Sequence, residues 1–201
     1  MKRYIAKEGY NSIIIALAVF LLFWIFYSFS FFLFFIVLFL LFLFRKPQFS
    51  FSHFDKKALI APVSGKIVKL ENVFHKELGD CIELQIKNAF YDVGILNAPC
   101  EMEITQLDFK HGLFLCYRLP QFLNERLSIV ATTNEQKIVL CIYGGSMQRK
   151  IHFNANSKLA IGDIIGFSLN SSLSIFLPRN TRLLVNGGDQ LKYGTLLGYL
   201  S

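Results

Sequence analysis

From Ile13 to Phe44 the chain carries no charged side chain, and this run limits its fold more than any other feature. The segment is built almost wholly of Phe, Leu, Ile, Val and Ala, with Ser28 and Ser30 as its polar interruptions. A secretory signal has a much shorter apolar region and ends in a small-residue cleavage site, which is missing here. As one helix the run would extend about 48 Å, against a hydrocarbon core of about 30 Å. Two readings follow: a single tilted or overlong helix, or a helical hairpin turning near Tyr27–Ser30. The flanks favour the hairpin. Lys2, Arg3 and Lys7 precede the run and Arg45 and Lys46 follow it. The positive-inside tendency puts both ends in the cytoplasm, which requires an even number of crossings. Arms of about 14 residues would have to thin the bilayer or dip into it. The expectation is a cell (inner) membrane protein whose remaining domain lies on the cytoplasmic side.

The chain then divides into a membrane anchor at 1–46, a linker at 47–56 and one domain at 57–201, long enough to bury a core unaided. The net charge of +7 belongs mostly to the anchor. From Pro47 onward there are 16 basic and 13 acidic side chains, so the domain is nearly neutral. No stripe of Lys and Arg with exposed aromatics is legible, and nucleic acid is not an expected partner. Cys81, Cys100, Cys116 and Cys141 form no Cys-x-x-Cys pair and read as reduced core or surface thiols. His53, His75, His111 and His152 lack zinc-type spacing, so no metal is expected.

Period-two patterns dominate after residue 57. Ile82, Leu84 and Ile86 alternate with polar neighbours, as do Leu173, Ile175 and Leu177 with Ser172 and Ser174. Lys137–Tyr143 is a continuous buried-strand run closed by Gly144 and Gly145. Turn signals recur at Pro62 and Gly65, Gly79-Asp80, Asn97 and Pro99, Gly162-Asp163 and Gly187-Gly188-Asp189. The expected class is mainly β, a small β-barrel or barrel-sandwich behind the α-helical hairpin. Lys158–Gly166 and Val185–Gly198 echo each other around a Gly-Asp pair. With Ala61-Pro62-Val63-Ser64-Gly65 upstream they resemble biotinyl and lipoyl carrier domains, but no carrier lysine on a hairpin accompanies them.

A second resemblance covers nearly the whole chain. Lys7-Glu8-Gly9 precedes the hydrophobic run, and Phe44-Arg45-Lys46-Pro47 follows it. Then come Ala61-Pro62-Val63-Ser64-Gly65-Lys66-Ile67, Tyr91-Asp92-Val93-Gly94, Asn97-Ala98-Pro99 and Asn124-Glu125-Arg126. Gly145 with Arg149-Lys150-Ile151 and the stretch Asn170–Pro178 complete the series. In this order and spacing the motifs resemble the short, membrane-anchored phosphatidylserine decarboxylases. That family cuts its own chain at a Gly-Ser bond and turns the serine into a pyruvoyl cap. The cap's ketone is the electron sink for decarboxylating phosphatidylserine to phosphatidylethanolamine. The resemblance implies cleavage between Asn170 and Ser171, a pyruvoyl group from Ser171 (with Ser172 the other candidate), Asp92 as a substitute base, and lipid-binding cations at Arg126, Arg149 and Lys150. It implies membrane phospholipid, phosphatidylserine, as the partner, and leaves a homo-oligomer open.

The departures bear on activity. The family's Pro-Ala-Asp-Gly corresponds to Pro62-Val63-Ser64-Gly65, so its aspartate stands as Ser64. Its Asp-Val-His corresponds to Asp92-Val93-Gly94, so its histidine stands as Gly94. The glycine before the serine is Asn170, or Ser171 if a gap falls elsewhere. An unassisted serine hydroxyl needs a base within hydrogen-bond reach. The reading is therefore a phosphatidylserine decarboxylase-related membrane protein of phospholipid metabolism, a pyruvoyl-dependent decarboxylase if active, beside the alternatives of a non-catalytic, membrane-tethered lipid-binding or scaffold relative and of a barrel-sandwich adaptor of a membrane complex; the chain is expected to stay uncut.

Overall fold

A computed structural model describes residues 4–46, 55, 57–113, 123–133, 136–146, 151–153 and 156–200. The chain forms two units, Met1–Gln48 and Phe49–Ser201.

In the first unit, a short 3-10 turn at Lys7–Gly9 leads into α1 (Tyr10–Phe26), and α2 follows at Phe31–Leu43. The break falls in the Tyr27–Ser30 segment, as expected. Tyr27 closes α1 by donating its N–H to the Phe23 carbonyl, and the Ser30 hydroxyl caps α2 by accepting from the Leu33 N–H at 3.5 Å. Phe29 locks the bend edge-on against Phe20 and Trp24. At the other end the Ala6 N–H donates to the Phe44 carbonyl at 2.9 Å and the Lys46 N–H to the Tyr4 carbonyl at 2.7 Å. The segments at Tyr4–Lys7 and Phe44–Lys46 therefore meet at one end of the helix pair. Arg45 lies over the Phe42 ring at 4.1 Å and donates to the Phe42 carbonyl. Lys7–Phe26 is long and apolar enough to cross a membrane, whereas α2 spans only about 20 Å. Ile14, Leu22, Trp24, Phe32 and Phe35 all face outward. Helices apolar on every side need a lipid or protein environment.

The described residues of the second unit form strands and their connecting turns. Its described strands are β1 (Ala58–Ile60), β2 (Gly65–His75), β3 (Gly79–Lys87), β4 (Ile95–Asn97), β5 (Met102–Lys110), β6 (Arg126–Thr133) and β7 (Gln136–Tyr143). They continue with β8 (His152–Phe153), β9 (Lys158–Leu159), β10 (Ile164–Phe167), β11 (Ser172–Pro178), β12 (Arg182–Leu183), β13 (Gln190–Leu191) and β14 (Leu196–Tyr199). The main sheet runs β13-β2-β3-β11-β7-β6-β5-β9, with small sheets β1-β14-β12 and β4-β10-β8 beside it. The pairings between these described strands are antiparallel. The mainly-β expectation holds, but among the described residues no barrel closes. Its edge strands β13 and β9 have two residues each, too few to complete a ring of paired strands.

One face of the main sheet carries the core. Ile67, Ile86, Leu173, Ile142 and Leu127 form one row of it, and Leu84, Ile175, Leu140 and Ile129 the next. Each fully buried aliphatic side chain contributes about 1.5–3 kcal/mol. β11 departs from the half-buried alternation read from its sequence: Ser172 and Ser174 are also buried. The same face carries a second apolar cluster of Val130, Val139 and Cys141, with Leu78, Tyr143 and Phe176 packed against it. The echoed segments use one device twice. Asp163 accepts the Ala160 N–H, and Asp189 the Asn186 N–H, each at 2.8 Å.

Candidate functional site

Motif residues from three separate segments converge on Asn88, the residue that follows β3. Its side-chain amide donates to the Ser64 carbonyl at 2.8 Å and to the Val93 carbonyl at 3.1 Å. Its backbone N–H donates to the Ser171 carbonyl at 2.9 Å. Three segments are thus pinned by one fully buried residue, two through its side chain and one through its backbone. Nothing in the period-two pattern distinguishes Asn88 from an ordinary polar residue ending a strand, so the sequence reading missed it.

The Asn170–Ser171 turn is shaped by its backbone. Asn170 has φ 49°, the left-handed region, and is the only non-glycine there among the described residues. Asparagine tolerates that conformation better than most side chains. Its amide donates to the Ser146 hydroxyl at 2.8 Å. Beneath it, Gly145 lies so close to the Asn170 carbonyl that a Cβ would collide with the backbone. Gly144 is held in turn by two bonds, accepting from the Asn124 amide and donating to the Glu125 carbonyl, both at 2.8 Å. Glu125 is buried, accepts the Ile151 N–H at 2.8 Å and has His111 Nδ1 at 3.8 Å. Asn124 and Glu125 therefore brace the floor under the serine, a role their sequence alone did not disclose.

The opposite wall holds Ser64 and Gly94. The Gly94 carbonyl accepts the Ser168 N–H at 2.7 Å. A Cβ at Gly94 would stand 2.8 Å from the Ser168 carbonyl oxygen, 2.9 Å from Leu169 Cδ2 and 3.0 Å from Phe167 Cζ. A side chain there must push backbone aside, and an imidazole cannot enter this packing as it stands. Ser64 Oγ, Ser168 Oγ, Ser171 Oγ and Asn88 Oδ1 are buried without a hydrogen-bond partner among the described residues. Such orphans cost about 1–3 kcal/mol each and mark places that deserve an explanation.

Asp92 sits on the turn between Asn88 and Gly94. Its carboxylate accepts the Ala89 N–H at 2.9 Å and contacts the Gln190 amide at 3.4 Å. This is the device of Asp163 and Asp189 a third time, so Asp92 has a turn to hold. Ser172 begins β11, and Arg126 begins β6 opposite Tyr143. Burial pushes the Tyr143 phenol up, with Arg126 among the groups pulling it back. Arg149 and Lys150 lie outside the described residues, as do Cys116 and His53. Burial also pushes the thiols up, Cys100 to about 12, and Cys81 and Cys141 in the same direction. Among the described residues no cluster of His, Cys, Asp and Glu could hold a metal ion.

The fold and the site define a β domain built around an Asn-Ser turn with a buried serine, in a chain whose other unit is an apolar helix pair. A family model described as phosphatidylserine decarboxylase matches residues 38–199. Curated relatives carrying the name phosphatidylserine decarboxylase proenzyme include that of Desulfotalea psychrophila, 30% identical over 78% of this chain and 77% of its own. That of Syntrophus aciditrophicus is 26% identical over 75% and 74%. That of Geotalea uraniireducens is 29% identical over 98% and 96%. No solved structure matches significantly. The chain belongs to the phosphatidylserine decarboxylase family, and its function is related to that of these decarboxylases.

Whether these residues suit the family's pyruvoyl group turns on Ser171. Its hydroxyl has no acceptor to take its proton among the described residues, Ser64 offers no carboxylate, and a side chain at position 94 meets the Ser168 backbone. The residues do not fit self-processing by the family's route.

Proposed function

We propose that this protein is a family member that keeps its chain whole and acts as a membrane-tethered phospholipid-binding domain without decarboxylase chemistry. One observation carries the reading: the Ser168 carbonyl oxygen stands 2.8 Å from where a side chain at Gly94 would begin. General acid–base help contributes roughly 10²–10⁴-fold in rate, so a serine without base or orienting partner processes very slowly. Asp92 is a poor substitute while its carboxylate closes its own turn. Without a pyruvoyl group from Ser171 there is no electron sink for decarboxylation. The ligand is a membrane phospholipid, phosphatidylserine by family, and Arg126, Arg149 and Lys150 are its candidate contacts.

The reading includes an anchor at 1–46, a linker at 47–56 and a domain at 57–201 on the cytoplasmic face of the inner membrane. Reporter fusions at residue 5 and residue 201 are expected on the same side; opposite sides would sink the hairpin. Two apolar arms bury far more hydrocarbon than a surface charge patch replaces, so carbonate washing should leave the protein on membranes.

A second reading, a self-processing decarboxylase, draws support from the Asn170 turn, whose φ of 49° suits the position the family gives to glycine. Mass spectrometry of the purified protein under denaturing conditions decides between them. One 201-residue species is expected. Fragments 1–170 and 171–201, the second reacting with hydroxylamine, would establish the enzyme.

A further inference from the structure

Phe74, near the end of β2, is 79% exposed, more than any other large apolar side chain among the described residues of the strand domain. An apolar ring held that far into solvent asks for an explanation. Register sets it opposite Asp80 on β3, and Asn72, two residues back, shares its face. Pro178, the last residue of β11, opposes Cys81, which brings Arg179 to the same corner. Asn72, Val73, Phe74, Asp80, Cys81 and Arg179 line a hollow of about 230 Å³. The eight residues of strand from Asp80 to Asn88 put this corner about 27 Å from the hub of the Asn170–Ser171 turn.

The hollow has a paired floor and charged walls. Val73 and Cys81 oppose each other in the ladder, and the buried Cys81 thiol donates to the Val73 carbonyl at 3.4 Å. The walls carry one guanidinium, Arg179, and one carboxylate, Asp80. Neither makes an ion pair among the described residues. The other face of the same hairpin behaves differently: Lys69 stands 2.6 Å from Glu71 and 2.7 Å from Glu83. Opposite charges that share a hollow without meeting leave space for a ligand that joins them. Their sum is zero. A singly charged ligand would satisfy one wall and leave the other without a partner, whereas a zwitterion satisfies both. Phe74 adds a ring face suited to a cation, and the Asn72 amide adds a donor suited to an oxyanion.

We propose that this hollow binds a zwitterionic headgroup in which a phosphodiester and a primary ammonium are joined by a short linker, as in glycerophosphoethanolamine. The Arg179 fork and the Asn72 amide take the phosphate oxygens; the Asp80 carboxylate and the Phe74 ring take the ammonium. At about 230 Å³ the hollow is smaller than the usual small-molecule pockets of roughly 300–1,000 Å³, so it holds a headgroup and leaves any acyl chain outside. The same group occurs free in solution and at the surface of a bilayer. The site is separate from the Asn170–Ser171 turn and stands whether or not the chain is cut.

The full chain in maltoside detergent is exposed briefly to hydroxyl radicals, and ring oxidation is read residue by residue by mass spectrometry. Exposed Phe90 is the internal reference and corrects for scavenging by the added compound. With about 5 mM glycerophosphoethanolamine, the ratio of Phe74 to Phe90 oxidation is expected to fall about three-fold. Arg179→Gln and Asp80→Asn should each abolish the fall. An unchanged ratio in the unsubstituted chain would overturn the site, as would a fall that survives both substitutions. An equal fall with glycerophosphoglycerol or with ethanolamine would overturn the zwitterion, and an equal fall with free serine would overturn the phosphate. Nanodiscs then separate the sources. A lower ratio in phosphatidylglycerol discs containing phosphatidylethanolamine than in pure phosphatidylglycerol discs assigns the intact lipid. Equal ratios in the two discs, with the soluble compound still effective, assign the free headgroup.

Discussion

On one side of Asn88 stands the Asn170–Ser171 turn; on the other stand Ser64 and Gly94. The first side is rich in backbone support: Gly145 beneath, Ser146 beside, Asn124 and Glu125 bracing both. The second side holds small groups where the family resemblance implies a carboxylate and an imidazole. Geometry is retained where packing depends on it, because a collapsed turn would disturb the sheet and its core. Chemistry rests on a few atoms that packing does not need. Shape and reactivity are thus separable within one cradle.

The sharpest break in this comparison comes from Asn88→Ala, which releases the Ser64–Gly94 wall and leaves the backbone bond to Ser171 in place. It removes two hydrogen bonds and leaves the Ser64 and Val93 carbonyls without them, for a loss of about 2–4 kcal/mol. Urea unfolding of the detergent-solubilised chain reads this directly. A loss below about 1 kcal/mol would mean that Asn88 is not the hub.

Gly94→His tests whether chemistry can simply be put back. The Ser168 carbonyl blocks the new side chain, so about 1–3 kcal/mol of destabilisation is expected. No cleavage should appear in the intact mass. Cleavage in this variant would show that the wall yields and that only the imidazole was lacking.

Asn170 gives a smaller and signed effect. Asn170→Ala puts an intolerant residue in the left-handed region and should cost about 1 kcal/mol; Asn170→Gly should cost less, since glycine adopts φ 49° freely. The order Ala worse than Gly in thermal unfolding is the test. Equal losses would assign the effect to the Ser146 hydrogen bond instead.

The smallest expected signal concerns other nucleophiles. With its thiol near 12, Cys100 holds only about one part in 10⁵ as thiolate at neutral pH, and burial pushes Cys81 and Cys141 the same way. Maleimide should leave all three unmodified in the folded protein at pH 7. Raising the pH reverses this. A thiol raised on folding favours the protonated native state, so its contribution is complete below the ordinary value of 9.0 and disappears as pH climbs toward 12. Melting temperature should accordingly fall above pH 9.

Much of this was legible in the chain itself. Charge-free apolar residues from Ile13 to Phe44 dictate helices that shun water, and Ser28 to Ser30 mark the place where a break is cheapest. Alternation at Leu84 and Ile86, or at Leu173 and Ile175, dictates strands with one face in a core, because side chains change sides at every residue. The Gly-Asp pairs mark turns, and the order of motifs marks the family. What pairing alone decided is which strands lie side by side, and so which distant residues meet. Register brought Arg179 to the hollow beside Phe74 and Asp80 although no stretch of sequence groups them. It set Ser172 and Ser174 beside a second apolar cluster, and both serines are buried where alternation alone predicts an open face. It kept the main sheet open where the turns suggested a barrel, and it made Asn88 a hub. A residue's type fixes what bonds it can form; only the long-range packing sets which partners arrive, because those contacts join segments dozens of residues apart.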